Sequence, residues 1–143
     1  MTKPQRYLVP TDFSKGSELA LDYALAMARQ NKARLTLLHV IPAALVYPSE
    51  GTRFDLYSLL ERDARQDFAR LMKRKKISSA AAQILLMRGV NPAEVIARQA
   101  KKLHASMIIM GSHGRTGLQR LLLGSVAERT LRLAACPILI VKK

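Results

Sequence analysis

Tyr7-Leu8-Val9 is a short apolar run closed by Pro10, whereas from Ser14 to Asn31 the apolar residues Leu21, Leu25 and Ala28 recur at spacings of four and three, with Ala24 beside them. This pattern predicts a strand, a loop and a helix. Arg34–Ile41 is rich in strand formers and stops at Pro42, and Asp55–Lys76 sets Leu56, Leu59, Leu60, Ala64, Phe68 and Leu71 on one helical face. A second strand and a second helix follow, joined by Pro42–Arg53, which carries Pro48, Ser49 and Gly51 and reads as a mobile loop. Gln83–Met87 predicts a third strand and Arg88-Gly89 a turn. Asn91-Pro92 then opens a helix to about Leu103, with Asn as N-cap and Pro at the first helical position. Met107–Met110 is almost wholly apolar and ends at Gly111, as suits a central parallel strand covered on both faces. A last helix over about Ser125–Ala134 precedes a fifth strand, Ile138–Val141.

Strands alternating with helices at this spacing imply right-handed crossovers and an open five-stranded parallel sheet with helices on both faces. The 143 residues fit one domain, 1–143, and contain no repeat, low-complexity segment or linker. Aromatic residues are only 5% of the chain and Trp is absent, so the core must be built from Leu, Ile, Val, Ala and Met. The single cysteine, Cys136, excludes an internal disulfide framework and a Cys-rich zinc site, and points to a reducing compartment. In an apolar context before Pro137 it reads as an inert, buried thiol. No secretory signal is seen at the N-terminus. The longest apolar stretch, Leu133–Val141, has nine residues, about half of the ~20 a membrane-spanning helix needs. A cytoplasmic protein is expected.

Charge changes the picture. Lys and Arg number 24 against 10 Asp and Glu, a net +14 that suggests an anionic partner. The excess is +2 in residues 1–50, +4 in 51–80 and +8 in 81–143, so it leans toward the half that holds most of the glycines. Lys73–Lys76 closes the second helix, where cations meet the negative helix end and solvated capping is the simpler reading.

Candidate chemistry lies after the fourth strand, where Gly111, Gly114, Gly117 and Gly124 fall within fourteen residues and Gly124-Ser125 opens a helix. Glycine permits close backbone approach to a ligand, and a Gly-Ser pair at a helix start presents free N–H groups, a hydroxyl and the positive helix end. Those are phosphate-binding properties. In an open parallel sheet the ligand crevice lies beyond the strand ends where the strand order reverses, here between strands one and four. Pro10-Thr11-Asp12 and Gly111–Gly114 should therefore flank one crevice.

Gly111, Gly114, Gly124 and Ser125 also reproduce, without a gap, the Gly, two residues, Gly, nine residues, Gly, Ser or Thr pattern of the ATP-binding branch of the universal stress proteins, which this chain resembles. Val9–Ser14 looks like that family's first strand and loop, Leu37–Val40 like the end of its second strand, and Cys136–Val141 like its last strand. The resemblance implies a Rossmann-like, adenine-nucleotide alpha-hydrolase-like sheet of strand order 3-2-1-4-5. It further implies that Asp12 contacts ribose, that backbone around Thr11 and Val40 holds adenine, that Gly111 and Gly114 run along ribose and phosphates, and that Gly124 and Ser125 bind the phosphates. Pro10, Met110 and Val126 adjoin these residues and complete the expected site. ATP, with Mg²⁺, is the implied ligand, and a homodimer paired through Ile138–Val141 the implied assembly.

Plainer readings stand beside these. Asp12 could serve as a turn or helix-capping residue before Ser14. His113 either touches phosphate or is a solvated turn residue, Arg115 and Arg120 face either the triphosphate or water, and His39 reads as structural. No Gly-x-x-x-x-Gly-Lys-Ser/Thr loop or Gly-x-Gly-x-x-Gly after the first strand is present. The glycine-rich segment offers no lysine and no carboxylate before Glu128, so binding with at most slow hydrolysis is expected. The expectation is a nucleotide-dependent regulatory protein of the stress response, acting on a protein partner that the sequence does not name. A slow ATPase or self-phosphorylating enzyme is one alternative. A basic nucleic-acid-binding module is another, disfavoured because three Phe and four Tyr offer no stacking platform.

Overall fold

The computed structural model describes residues 3–43, 56–113 and 123–142. Nine elements alternate along them: β1 (Arg6–Pro10), α1 (Lys15–Asn31), β2 (Arg34–Pro42), α2 (Leu56–Arg74), β3 (Ala82–Gly89), α3 (Pro92–Lys102), β4 (Met107–Gly111), α4 (Ser125–Leu133) and β5 (Ile138–Val141). The strands form one sheet in the order β3-β2-β1-β4-β5. Every neighbouring pair is parallel. Fold class and strand order are those expected.

Alternation along the central strands divides the core in two. Tyr7, Val9, Leu37 and Ile109 point to the face covered by Ala20, Leu21 and Ala24 of α1 and by Phe68 and Leu71 of α2. Leu8, Leu38, Ile108 and Met110 point to the other face, under Ile96 and Ala100 of α3 and Ala127 of α4. Both faces of β1 and β4 are thus dry, which explains their unbroken apolar runs.

Helix starts follow their caps. Ser14 accepts a hydrogen bond from the Ser17 N–H, and Asn91 accepts from Ala93 and Glu94 N–H groups with Pro92 inside the first turn. Strand limits differ slightly from the sequence reading, because Pro10 and Pro42 lie inside β1 and β2, each as the final residue. Each proline ends its strand because it has no N–H to donate to a ladder. The registered pairs between β1 and β4 stop at Leu8 and Ile108, and Pro10 has no N–H with which to extend that ladder. The loop expected over Pro42–Arg53 lies, from residue 44 onward, outside the described residues. Among the described residues, no helix is long and apolar enough to cross a membrane.

Candidate functional site

Beyond the C-terminal strand ends, at the β1–β4 order reversal, lies a cavity of about 800 Å³. That is within the range of small-molecule sites. Pro10, Thr11, Asp12, Val40, Met110, Gly111, Gly124, Ser125 and Val126 all line it. The structure therefore brings together nine of the ten residues singled out from the sequence. The tenth, Gly114, lies outside the described residues, as do Arg115 and Arg120.

The wall from β1 is a tightly hydrogen-bonded turn. Thr11 N–H donates to the Leu38 carbonyl at 2.8 Å. Thr11 Oγ1 accepts from Phe13 N–H at 3.0 Å and lies 3.0 Å from Ser17 Oγ. Asp12 Oδ1 accepts from Ser14 N–H at 3.0 Å. Asp12 is thus both a turn residue and a cavity-lining carboxylate; the helix cap itself is Ser14. Phe13 completes the turn with a positive φ of 63°.

Three residues hold this wall in place: His39, expected to be structural, Phe68, expected only on an apolar helix face, and Phe13, to which the sequence assigned no role. His39 Nδ1 lies 2.8 Å from the Thr11 carbonyl oxygen. A carbonyl can only accept, so Nδ1 carries the proton. Phe13 sits 4.8 Å from the His39 ring and 5.0 Å from Phe68, centroid to centroid. This aromatic cluster ties β2, the β1 turn and α2 together beside the cavity. Phe68 had been legible only as one apolar position in a helical stripe.

Across the cavity, β4 leads through Ser112 and His113. Gly124 N–H donates to the Ser112 carbonyl at 2.6 Å, and α4 begins with Glu128 N–H bonded to the Gly124 carbonyl at 2.9 Å. No side chain caps α4. Its first-turn N–H groups and positive end are presented to the cavity by Gly124, Ser125, Val126 and Ala127. His113 Nδ1 shares a 3.1 Å hydrogen bond with Ser112 Oγ, while its Nε2 is buried without a partner among the described residues. The glycines also serve a purpose the sequence did not disclose. A Cβ on Gly16 would fall 2.7 Å from the His113 carbonyl oxygen, and one on Gly124 would fall 3.0 Å from that of Ser112. Gly16, missed from sequence because it lies outside the glycine-rich segment, lets α1 meet the end of β4.

Electrostatically the cavity departs from expectation. Its described lining holds three carboxylates, Asp12, Asp63 and Asp67, and no Lys or Arg. The positive excess of the C-terminal half is therefore not gathered around these residues; what favours an anion here is the open start of α4. Asp67 is engaged by Arg70 at 3.2 Å. Among the described residues, no three His, Cys, Asp or Glu side chains group to hold a metal ion.

Similarity to known proteins extends over the same elements. The universal stress protein family model matches residues 4–142. Universal stress protein MJ0531 of Methanocaldococcus jannaschii is 33% identical over 97% of this chain and 82% of its own length. The structure of MJ0577 from the same archaeon aligns with a TM-score of 0.82 at 30% identity, over 99% of this chain and 98% of that one. A universal stress protein from Archaeoglobus fulgidus, solved in complex with dAMP, shares the fold with a TM-score of 0.67 at 23% identity, over 99% of this chain and 100% of that one. With the family model matching residues 4–142 and a relative 33% identical over 97% of the chain, the chain belongs to the universal stress protein family.

Proposed function

We propose that this protein binds ATP in the cleft between β1 and β4 and acts as a cytoplasmic, nucleotide-dependent regulator of a stress response. The observation that carries the reading is the uncapped start of α4, which faces Asp12 within one cavity of nucleotide size. The buried, unpartnered Nε2 of His113 adds a polar atom suited to a ligand oxygen. The dAMP bound by the A. fulgidus relative supports an adenine nucleotide.

In this reading the Asp12 carboxylate holds the ribose hydroxyls. Backbone at Thr11 and Val40 frames the adenine, with Pro10 and Met110 as apolar walls. Gly111 and Gly114 follow the ribose and phosphates, while Gly124, Ser125 and Val126 donate to phosphate oxygens. Mg²⁺ arrives on the triphosphate, offsetting charge that Asp12, Asp63 and Asp67 would otherwise repel. The edge strand β5 pairs with its copy in a homodimer. Slow hydrolysis is a second reading, favoured by the Asp63 and Asp67 carboxylates on the cleft wall, either of which could orient a water.

Titration calorimetry with ATP and Mg²⁺ tests the assignment. Asp12→Ala and Ser125→Ala should each weaken binding about tenfold or more, as expected for losing a hydrogen bond to a charged group. Wild-type affinity in both variants, or no ATP binding by the parent chain, would refute it. Phosphate release measured in the same samples separates binder from slow ATPase.

A further inference from the structure

Basic residues gather at the end of the molecule opposite the cleft. Parallel pairing places the starts of all five strands, and the ends of the helices that precede them, at that end. Arg6 opens β1, Arg34 opens β2, Arg29 and Lys32 close α1, and Lys101 and Lys102 close α3. Among the described residues none of these six forms an ion pair. Most of the described acidic residues lie elsewhere: Asp12 follows β1, Glu61, Asp63 and Asp67 lie in the first twelve residues of α2, and Glu94 and Glu128 in the first turns of α3 and α4, while Glu18 and Asp22 of α1 pair with Arg74 and Lys75 at the end of α2.

Helix dipoles account for cations at helix ends. They do not account for Arg6 and Arg34, which start strands and stand in register on adjacent parallel strands. Like charges placed side by side are destabilising. The two arginines border a second cavity, of about 330 Å³, together with Thr36, Ser79 and Gln83. Hydrogen bonds tie neighbouring turns to the two strand starts. Ser106 N–H donates to the Arg6 carbonyl at 2.8 Å, setting the turn that follows Lys101 and Lys102 beside Arg6. Arg34 N–H donates to the Gln5 carbonyl at 2.8 Å. Backbone conformation points the same way, because Lys32, Lys76 and His104 turn the α1–β2, α2–β3 and α3–β4 connections at φ of 53°, 55° and 53°. Glycine is the unstrained choice at such positions, yet each carries a Lys or His side chain instead.

We propose that this basic end binds the phosphodiester backbone of nucleic acid without reading base sequence, with the Arg6–Arg34 cavity seating a phosphate. Arginine forks, lysines, hydroxyls and amides are the donors used on such backbones. A membrane surface or a protein partner would be anchored by exposed apolar side chains. Among the described residues the large exposed ones are Tyr23, Val90, Leu123, Val126, Leu131 and Leu133. None of the six borders the arginine cavity, and only Leu131 and Leu133, in the last turn of α4, stand at this end of the molecule. Independence from the cleft separates this inference from the nucleotide reading.

Fluorescence anisotropy of a labelled DNA duplex of about 20 base pairs, and of a single-stranded RNA of similar length, measured with the full chain between about 50 and 200 mM salt, tests it. The expected result is sequence-independent binding whose logarithm falls linearly with the logarithm of salt. Arg6→Gln with Arg34→Gln should weaken binding about tenfold at low salt and reduce the duplex slope by about two. Lys101→Gln with Lys102→Gln should lower the slope similarly, which keeps the test available should the arginine variant not fold. Saturating ATP should leave the titration unchanged. Wild-type slopes in both variants, competition by ATP, or binding to phosphatidylserine vesicles without binding to either nucleic acid would overturn the proposal.

Discussion

Gly111 at the end of β4 packs backbone to backbone on Gly16 in the first turn of α1: a Cβ on Gly111 would lie 2.9 Å from the Gly16 carbonyl oxygen. The contact sets how close α1 can stand to the cleft, and a backbone carbonyl cannot rotate aside as a side chain can. Gly111→Ala should therefore destabilise the fold by about 1–3 kcal/mol even with no nucleotide present. Urea unfolding of the nucleotide-free protein checks this. An unchanged midpoint would mean that Gly111 matters only for the ligand.

Ser125 offers the opposite case. Its side chain is exposed and does not cap α4, so Ser125→Ala should leave the urea midpoint within about 0.5 kcal/mol of the parent. The calorimetric loss of ATP affinity should then appear without a stability change.

Phe68 joins stability to the cleft. It is 1% exposed and meets Phe13 edge to face. Phe68→Ala should cost about 3–5 kcal/mol. Because Phe13 and His39 lose a neighbour beside the Thr11 turn, ATP affinity should fall as well. Wild-type affinity in the folded fraction of this variant would show that the turn holds without the aromatic cluster.

Glu18 receives Arg74 and lies 3.8 Å from Lys75, which also reaches Asp22 at 3.0 Å. These pairs link α1 to the end of α2, and the groups are only partly exposed. Glu18→Gln should cost about 0.5–1 kcal/mol, with the difference shrinking at high salt. A salt-independent cost would point to packing instead.

Burial pushes the Cys136 thiol above its usual range, against weaker lowering by hydrogen bonds with the backbone of Cys136 and Ile108. The unfolded chain thus ionises at lower pH than the folded one. This contribution to stability is complete below the unfolded thiol value of about 8.5 and is lost as pH rises through the folded value. Alkylation by iodoacetamide at about pH 8 should be several-fold slower than for a free cysteine and should accelerate in urea. Equal rates in both states would contradict the burial effect.

Much of this molecule was legible in its residues. Apolar runs ending at Pro10 and Gly111 marked the strands that bound the cleft, and Asn91-Pro92 marked α3, because each signal is local and chemically specific. Spacing within the glycine-rich segment brought out Gly111, Gly124 and Ser125. Gly16 and Phe13 stayed unread, and His39 was legible only as structural, because their purposes arise from contacts between distant segments. Where the charge sits in space needed the fold for a related reason. Counting along the chain placed the excess with the glycines, whereas parallel winding sends residues at helix ends and strand starts to the other end of the molecule.

Strand order also bears on how the fold forms. The sheet's central strand, β1, is made first, and β2 and β3 add to it in sequence through single helices. On its other side β1 waits for β4: the hydrogen bond from Arg6 N–H to Ser106 Oγ spans 100 residues. Loop closure of that length is entropically demanding, so β1-α1-β2-α2-β3 should assemble ahead of β4-α4-β5. The cleft between β1 and β4 is then the seam where the later half docks, and it gains its second wall, from β4 and α4, only when that half arrives.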